Sequence, residues 1–550
     1  MSGKLILLSV LFSACTAGNP LTTSAPPTSP EPAHSPEVTP PASTETAPET
    51  VTEADEVRIP EGRVRDLVCW SSSVEVGEAA VEFEDVTGPM ALVEPLTGIH
   101  GHAAAFGDLN GDGYPDLTVG TFADRPPTEY AVRGAEGPSP DRVHVGGEQF
   151  TPFDLPVPMG RTSGAAFADL DGDGDSDLVL VRNDRDGRPT VILENRDSEL
   201  VARSEPLPPQ LLGRTPAIAD FDGDGLLDLF ISEDRYGETG GVLLRNEGDF
   251  SFADVTAQSG LEGVFALGAT AADLDRDGHP DIVASDRMFF GNGDMTFVES
   301  TPREFGWSQI GPDDDPAGVA VGDFDNDGLP DIAVGQHYRS IVEEGAEVPV
   351  RLFRNLGDRD FREVTEEVGL VPLPTLAPHV ELADMNNDGW FDILASGSLG
   401  NGSAPIVFVN REGAFEAPEG LGAPHYWVGA PVADFDLDGR LDVFGLEWEP
   451  SLPSRLFRNV TAGGHWLEVS VADPLGGVGA VIQVSTSDGD LLGYREIGVA
   501  SGYSSGNLPV AHFGLGEVEV VDVAIKLRSG ATATIEDVGA DSHIRWPDGC

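Results

Sequence analysis

Aspartate recurs at every second position of the stretch ADLDGDGDSDL, residues 168–178, which runs directly into an apolar segment. Two carboxylates about 5 Å apart repel each other by roughly 3 kcal/mol at an effective dielectric constant near 20. A compact loop with this many ionised groups therefore needs a neutralising partner. A bound cation is the simplest partner that such a loop can have.

The same pattern, D-x-[DN]-x-D-G-x-x-D, occurs seven times, with starts 50 to 61 residues apart. Side-chain oxygens at positions 1, 3, 5 and 9 and a backbone carbonyl at position 7 can converge on one ion, and glycine at position 6 permits the sharp turn. Ligation by oxygen alone favours Ca²⁺ over Zn²⁺ or copper. The sequence therefore predicts up to seven Ca²⁺ ions with structural roles. The predicted ligands, loop by loop, are Asp108, Asn110, Asp112 and Asp116; Asp169, Asp171, Asp173 and Asp177; Asp220, Asp222, Asp224 and Asp228; Asp273, Asp275, Asp277 and Asp281; Asp323, Asp325, Asp327 and Asp331; Asp384, Asn386, Asp388 and Asp392; and Asp434, Asp436, Asp438 and Asp442.

Each loop lies between two predicted strands, a small-residue strand such as AAFADL and an apolar strand such as DLVLV. In several copies a third strand ends in asparagine, as in VLLRN at 242–246, and a fourth follows, as in FADVT at 252–256. Four strands in each of seven repeats predict an all-β fold, a seven-bladed β-propeller. The segment FEDVT at 83–87 precedes the first copy, and we expect it to complete the last blade and close the ring.

The seven loops resemble the FG-GAP/VCBS repeats of integrin-type propellers. The C-terminal segments GGHWLEVSV (463–471), GGVGAVIQV (476–484) and AHFGLG (511–516) resemble an ASPIC/UnbV domain. The combination is similar to the cartilage acidic protein family and its bacterial relatives. This resemblance implies a propeller over residues 63–460 and a small C-terminal β-domain over 461–550. Where the family usually has Trp-Pro-Ser-Gly, this chain has Leu527-Arg528-Ser529-Gly530.

The N-terminus predicts export. Residues 1–14 combine a short positive start, an apolar run and small residues, which is typical of a signal peptide. The segment before Cys15 resembles a bacterial lipobox, so we expect Cys15 to be lipidated and to be the protein's only attachment to a membrane. Residues 15–62 are rich in Pro, Thr, Ser and Glu and predict a disordered tether. We expect an outer-membrane or cell-surface lipoprotein, or otherwise a secreted protein.

Two further cysteines, Cys69 and Cys550, follow Cys15. In an exported protein an even pair favours a disulfide, which would join the start of the folded region to the end of the chain. Two separate thiols remain the alternative, because sequence does not give their distance.

Charge and motifs restrict the functional classes. A formal net charge of −62 argues against a nucleic-acid partner. The segment 502–506, GYSSG, fits the nucleophile pattern G-x-S-x-G, but short strands around it favour a turn in a β-domain. His100 and His102 favour a packing or rim role over metal binding, and the run 313–315, DDD, favours a solvated loop.

We therefore expect a binding protein rather than an enzyme, acting in adhesion or in recognition of a protein or glycan at the cell surface. Face loops are the expected site, and the long inserts 122–150, 182–210, 303–316 and 336–349 are candidates. The alternative is an envelope or polysaccharide-active hydrolase or lyase. His, Arg, Tyr and carboxylates at the central channel would favour that enzyme, whereas Gly, Ala and Asp carbonyls would favour binding. A uniformly acidic surface would instead favour a passive spacer.

Overall fold

The structure, a computed structural model, describes residues 56–549 except 60, 75, 78–79, 98, 133, 184, 186, 204–206, 208–210, 303–304, 306–313, 401, 422–423 and 449–451. The predicted signal peptide, the lipidation site at Cys15, most of the tether and Cys550 lie outside the described residues. None of the helices in the described part is long and apolar enough to cross a membrane. These helices are α1 (Glu61–Leu67), α2 (Pro127–Val132), α3 (Thr256–Ser259) and α4 (Arg339–Glu343).

Seven antiparallel blades form the propeller, as the sequence predicted. In each blade the loop with the pattern D-x-[DN]-x-D-G-x-x-D, called a metal loop below, joins the innermost strand to the next strand outward. The innermost strands are rich in Ala and Gly, which lets seven of them approach one axis. Blade 1 contains β4 (Gly101–Gly107), β5 (Asp116–Thr121), β6 (Arg142–Val145) and β7 (Thr151–Asp154); blade 2, β8 (Thr162–Ala168), β9 (Asp177–Arg182), β10 (Val191–Arg196) and β11 (Glu199–Ala202); blade 3, β12 (Gly213–Ala219), β13 (Asp228–Glu233), β14 (Val242–Asn246) and β15 (Phe252–Asp254); blade 4, β16 (Ala269–Ala272), β17 (Asp281–Ala284), β18 (Arg287–Gly291) and β19 (Phe297–Glu299). Blade 5 contains β20 (Asp314–Gly322), β21 (Asp331–Tyr338), β22 (Arg351–Asn355) and β23 (Phe361–Glu363); blade 6, β24 (Val380–Ala383), β25 (Asp392–Leu399), β26 (Ala404–Arg411) and β27 (Ala414–Glu416); blade 7, β28 (His425–Gly429), β29 (Val432–Ala433), β30 (Asp442–Glu447) and β31 (Arg455–Asn459).

The ring is closed by a strand from the N-terminal side of the propeller. Strand β3 (Phe83–Asp85) pairs antiparallel with β31 and becomes the outer strand of blade 7. Blade 7 also packs against blade 1, where Phe444 and Leu456 share a core with Phe106 and Leu117. The closure expected from FEDVT is confirmed.

A β-sandwich follows the propeller. One sheet has the order β1-β39-β38-β33-β34 and the other has the order β2-β40-β32-β37. Leu467 and Phe513 from the second sheet pack against Val523 and Ile535 from the first. The strands are β1 (Glu56–Ile59), β2 (Val68–Ser71), β32 (His465–Val471), β33 (Val481–Ser485), β34 (Leu491–Glu496), β35 (Ala500–Ser501), β36 (Ser505–Gly506), β37 (Val510–Gly516), β38 (Val520–Lys526), β39 (Thr532–Gly539) and β40 (Ser542–Trp546).

The first described residues belong to this sandwich. The sequence placed them instead in the tether, up to residue 62, and in the propeller, from residue 63. Strand β1 pairs parallel with β39, and β2 pairs antiparallel with β40. Val64 and Leu67 of α1 are buried in the same core. Cys69 lies in β2 and is disulfide-bonded. Gly549 lies against Asp66 and Leu67, so the described residues bring the end of the chain close to Cys69.

A hairpin from the sandwich, β35 and β36, enters the central channel of the propeller. Ser505 and Gly506 pair parallel with Ala104 and Ala105 of blade 1. On the opposite side, Gly502 is bridged to Val319 of blade 5. A Cβ at Gly318 would overlap the backbone of the hairpin, so this approach requires glycine. The segment GYSSG therefore fills the channel as a plug. The sequence indicated a turn in a β-domain but not this insertion into the propeller.

Candidate metal centres and central pocket

Hydrogen bonds fix the metal loops through their first and last aspartates. In the third loop, Asp220 accepts backbone N–H groups of Gly223 at 2.7 Å and Gly225 at 3.1 Å. Asp228, at position 9, accepts the N–H of Phe221 at 2.9 Å and that of Asn246 in β14 at 2.8 Å. The loop is therefore closed on itself and tied to the third strand before any ion binds.

Five of the loops bring three carboxylates together, with one oxygen of each within 4.8 Å of the others. The converging residues are those at positions 1, 3 and 9. Position 5 is not part of these described groups, and in the third loop Asp224 instead accepts the N–H of Leu226 at 3.0 Å. The five groups are Asp169, Asp171 and Asp177; Asp220, Asp222 and Asp228; Asp273, Asp275 and Asp281; Asp323, Asp325 and Asp331; and Asp434, Asp436 and Asp442.

The other two loops have asparagine at position 3. Asn110 donates to Asp112 at 2.9 Å, and Asn386 donates to Asp388 at 2.9 Å. Their turns keep the same frame, since Asp108 accepts the N–H of Gly113 at 3.0 Å. These loops hold two converging charges in place of three.

The protonation behaviour of the last aspartate fits a cation site. Burial, with the neighbouring loop carboxylates adding to it, raises the pKa of Asp177, Asp228 and Asp281 to about 8. The pKa of Asp331 rises to about 9 for the same reason. Ionisation of a buried carboxyl group is costly on its own but becomes favourable beside a divalent cation.

Buried oxygens at position 3 support the same conclusion. The Oδ1 atoms of Asp171, Asp325 and Asp436 are buried and lack hydrogen-bond partners among the described residues. In the fifth loop the other oxygen of Asp325 lies 2.6 Å from Arg354 Nε. Buried acceptors need a partner, and the oxygen-rich donor set is the one that Ca²⁺ prefers.

The C-terminal sandwich lies on the metal loops. Glu496 accepts the N–H of Asp273 at 3.0 Å, and Arg528 donates to the carbonyl oxygen of Asp220 at 3.2 Å. At the seventh loop, His512 Nε2 lies 3.2 Å from the carbonyl oxygen of Gly439. The loops therefore serve as the docking surface of the second domain.

A pocket opens at the other end of the channel. His102 lies near the start of β4 and Asp108 follows its end. Because a strand rises about 3.3 Å per residue, the pocket and the metal loops are about 20 Å apart. The cavity has a volume of about 230 Å³, and we call it the central pocket. Its lining includes His102, Arg161, Arg214, Asp234, Trp448 and Tyr503.

The hairpin supplies the floor of the central pocket. Arg214 Nη1 lies 3.2 Å from His102 Nε2 and 3.3 Å from the hydroxyl of Tyr503 at the hairpin tip. Arg214 also pairs with Asp234. Burial and the nearby arginines hold the pKa of His102 well below its usual value, so its ring is neutral at pH 7.

The structure settles two minor predictions. The histidines occupy the packing or rim positions that the sequence favoured: His102 lines the pocket, and buried His100 pairs with Glu129 at 2.8 Å. The solvated loop at 313–315 is wrong for its described residues, which begin β20. Pairing with β21 buries Asp314, which accepts the N–H of Ser340 at 2.8 Å, and Asp315 pairs with Arg235.

Three of the four candidate inserts contribute to the central pocket, through Phe122, Asp315 and Arg339. The described residues of the insert 182–210 do not line it. Sequence reasoning missed Arg161 and Arg214, although the tripeptide Gly-Arg-Thr lies at the start of the inner strand in both blades 2 and 3. It also missed Trp448, which no local pattern marked, and it interpreted Tyr503 only as part of the turn GYSSG.

Comparison with protein families supports the architecture. The FG-GAP-like repeat family matches residues 169–231, 220–284 and 284–334, and the FG-GAP repeat family matches 100–125. The ASPIC and UnbV family matches residues 473–549. The chain therefore contains FG-GAP repeats and an ASPIC/UnbV domain.

The FG-GAP chain is homologous to cartilage acidic protein 1. It is 27% identical to the Homo sapiens protein over 453 residues, which cover 71% of this chain and 60% of that protein. Identity to the Xenopus tropicalis protein is 25%, covering 71% of this chain and 62% of that protein. The alignments thus span less than two thirds of these relatives.

Solved structures give weaker likenesses. An exotype rhamnogalacturonan lyase has a TM-score of 0.39 and 12% identity, covering 87% of this chain and 76% of that chain. The Dos1 propeller has a TM-score of 0.34 and 10% identity, covering 88% and 100%. Neither likeness bears on function.

Proposed function

We propose that this protein is an exported, calcium-stabilised recognition protein that binds its ligand in the central pocket. The observation that carries this proposal is the convergence of side chains from several blades and from the hairpin tip on one cavity. Recognition sites are commonly concave and contain a few fixed polar groups among aromatic ones. Adhesion or glycan recognition at the cell surface is the biological setting that we propose.

Several features support export and calcium binding. The disulfide at Cys69 is typical of an oxidising compartment. The five carboxylate groups offer oxygen-only sites, and extracellular calcium modules often bind with dissociation constants of about 10⁻⁴ to 10⁻³ M. We propose that up to seven Ca²⁺ ions occupy the loops, with the two asparagine-containing loops binding more weakly.

A direct test compares ligand capture by the protein and by pocket variants. The calcium-loaded protein is applied to arrays of glycans and of surface proteins, alongside Tyr236→Ala and Arg161→Gln. We expect both variants to lose the captured ligand, because Tyr236 and Arg161 line the pocket. Capture that is equal for all three proteins would disprove recognition through the central pocket.

A second candidate is a hydrolase or lyase with its site in the same pocket. His102, Arg214, Tyr503 and Asp234 are the side-chain classes that we named as favouring an enzyme. We rank binding first because both ring nitrogens of His102 face protein groups, Ser163 O at 3.3 Å and Arg214 Nη1 at 3.2 Å. Burial also raises the pKa of Tyr503, so its hydroxyl is protonated at pH 7 and does not accept a proton as a general base. Cleavage of a polysaccharide by the protein but not by Tyr503→Phe would reverse this order.

A further inference from the structure

We propose that the central pocket binds a hexuronate, a sugar unit that carries a carboxylate. This inference rests on the proposed function, because it names the ligand class of the same site. Four features of the pocket support it: its charge, the fixed position of its arginines, its floor and its aromatic walls.

The lining of the central pocket is positively charged in a strongly acidic protein. Four arginines and two aspartates line it, although the chain has 94 acidic and 32 basic residues. The arginines are Arg161, Arg214, Arg235 and Arg339. Guanidinium groups are preferred partners of carboxylates because both can form two parallel hydrogen bonds. The local excess of arginine therefore favours a carboxylate in the ligand.

Acidic partners hold these arginines in place before a ligand arrives. Arg161 Nη1 lies 2.9 Å from Asp124 Oδ2, and its guanidinium stacks 3.9 Å from the ring centre of Phe122. Arg235 Nη1 lies 2.6 Å from Asp315 Oδ1. Each pair offers donors and acceptors side by side, which suits hydroxyl groups since a hydroxyl both donates and accepts. A ligand with hydroxyls and a carboxylate matches this arrangement.

The floor of the pocket repeats this combination at depth. The side chain of Arg214 is 10% exposed, and its Nε is buried without a hydrogen-bond partner among the described residues. The hydroxyl of Tyr503 lies beside it at 3.3 Å. Because Arg214 pairs with Asp234, the floor presents a fixed guanidinium–carboxylate pair and a hydroxyl, and water screens their contacts with a ligand least.

The walls and the volume limit the size of the ligand. Aromatic rings of Trp448, Tyr236 and Phe122 provide apolar faces against which the C–H face of a sugar can pack. The volume of about 230 Å³ is below the roughly 300–1,000 Å³ of sites for drug-sized ligands. One sugar unit, free or at a chain end, fits this space better than a peptide segment.

Calorimetric titration tests the ligand class directly. The calcium-loaded protein is titrated with galacturonate and glucuronate, with the neutral sugars galactose and glucose, and with acetate as a carboxylate without hydroxyls. The calcium concentration is kept equal in cell and syringe. We expect at least one uronate to bind about tenfold or more tightly than its neutral counterpart and than acetate.

Variants locate the binding in the pocket. Arg161→Gln should weaken uronate binding about tenfold, and Tyr236→Ala, at a side chain that is 54% exposed, should weaken it severalfold without affecting folding. Arg287→Gln is the matched control. Arg287 also pairs with a carboxylate, Glu299 at 2.8 Å, and lies over a phenylalanine, Phe289, but on the outer strands of blade 4. We expect it to leave binding unchanged.

The outcomes separate the two proposals. Equal binding of neutral sugar and uronate, or no uronate binding, would overturn the hexuronate inference. The proposed function would still hold if the pocket variants lose a ligand that the unaltered protein captures on the arrays. Uronate binding that persists in Arg161→Gln and Tyr236→Ala would also overturn the inference, because the site would lie elsewhere. Tight uronate binding that is lost in both variants would support both proposals.

Discussion

Asn246 in blade 3 donates a 2.7 Å hydrogen bond from Nδ2 to the carbonyl oxygen of Leu170, in the metal loop of blade 2. The same relationship joins four other pairs of neighbouring blades: Asn195 to Leu109, Asn355 to Leu274, Asn410 to Phe324, and Asn459 to Met385. Gly146 and Gly291 stand where blades 1 and 4 would have this asparagine. The terminal asparagine of the third strand therefore links each of these metal loops to the next blade.

Replacing Asn246 with alanine should lower the free energy of unfolding by about 1–3 kcal/mol, because the buried carbonyl of Leu170 loses its partner. Urea unfolding measures this change. Asn292→Ala is the control: Asn292 is exposed in a turn of blade 4, so we expect a change within about 0.5 kcal/mol. Equal effects of the two changes would contradict the linking role of Asn246.

Calcium should stabilise the protein through the buried oxygens of the loops. A site that binds only the folded state contributes about 2.7 kcal/mol when calcium is at 100 times its dissociation constant. Asp325→Asn should remove much of one such contribution in saturating calcium. In chelator the change should be small, because relief of carboxylate repulsion offsets the lost ion pair with Arg354. Thermal unfolding in calcium, magnesium and chelator measures both effects.

The matched control for that experiment is Asp488→Asn, an exposed aspartate in a turn of the sandwich. It should leave the calcium-dependent rise in melting temperature unchanged. If Asp325→Asn behaves like this control in both buffers, Asp325 is not a calcium ligand.

Saturating calcium should remove the pH dependence that the buried aspartates confer on stability. The pKa of Asp177 in the folded, calcium-free protein is raised to about 8 by burial, whereas an unfolded aspartate titrates near 3.9. Between these values the folded state binds more protons, so stability in chelator should fall as pH rises from about 5 to 8. Saturating calcium displaces the proton, and its stabilising effect should grow over the same range.

Urea unfolding from pH 5 to pH 8 tests this prediction. Asp177→Asn removes one titrating group and should make the slope in chelator shallower. A slope that is unaltered by this substitution would show that other groups, or the general negative charge, control the pH dependence.

Local patterns were sufficient to predict the blades. The metal-loop pattern marks the turn between two strands of each blade, and the alternation of turn residues and short apolar runs defines the other strands. The closing role of FEDVT also followed, because the segment matches the fourth strand that blade 7 lacks. The blades depend on residues close together in sequence, for which composition and spacing are informative, and the closure followed from matching one short segment to the repeat.

The central pocket and the docking of the sandwich were beyond sequence reasoning. Arg214 and Tyr503 are 289 residues apart in the chain, and only the ring geometry and the inserted hairpin bring them together. The pairing of β1 with β39 is likewise a long-range contact that no local pattern marks. Asp314 looked solvated because the sequence shows its charge but neither its pairing with Tyr338 in the sheet nor the N–H of Ser340 that it accepts.

Calcium should also control how firmly the hairpin is held in the channel. The sandwich rests on the metal loops through contacts such as that between Glu496 and the N–H of Asp273. Loops that loosen without calcium would therefore weaken the docking that inserts residues 500–506. Hydrogen exchange should become faster in this hairpin in chelator, while β33, in the core of the sandwich, should stay protected.

A substitution at the interface should reproduce this effect with calcium present. Gly439, in the seventh loop, has φ +88°, and a Cβ there would overlap the indole of Trp466 in the sandwich. Gly439→Ala should thus speed exchange in the hairpin even in saturating calcium, whereas Gly489→Ala, at a similar φ of +90° but with open space around it, should not. If chelation opens the loops while the hairpin stays protected in both proteins, the plug is held by the inner strands alone and not through the metal loops.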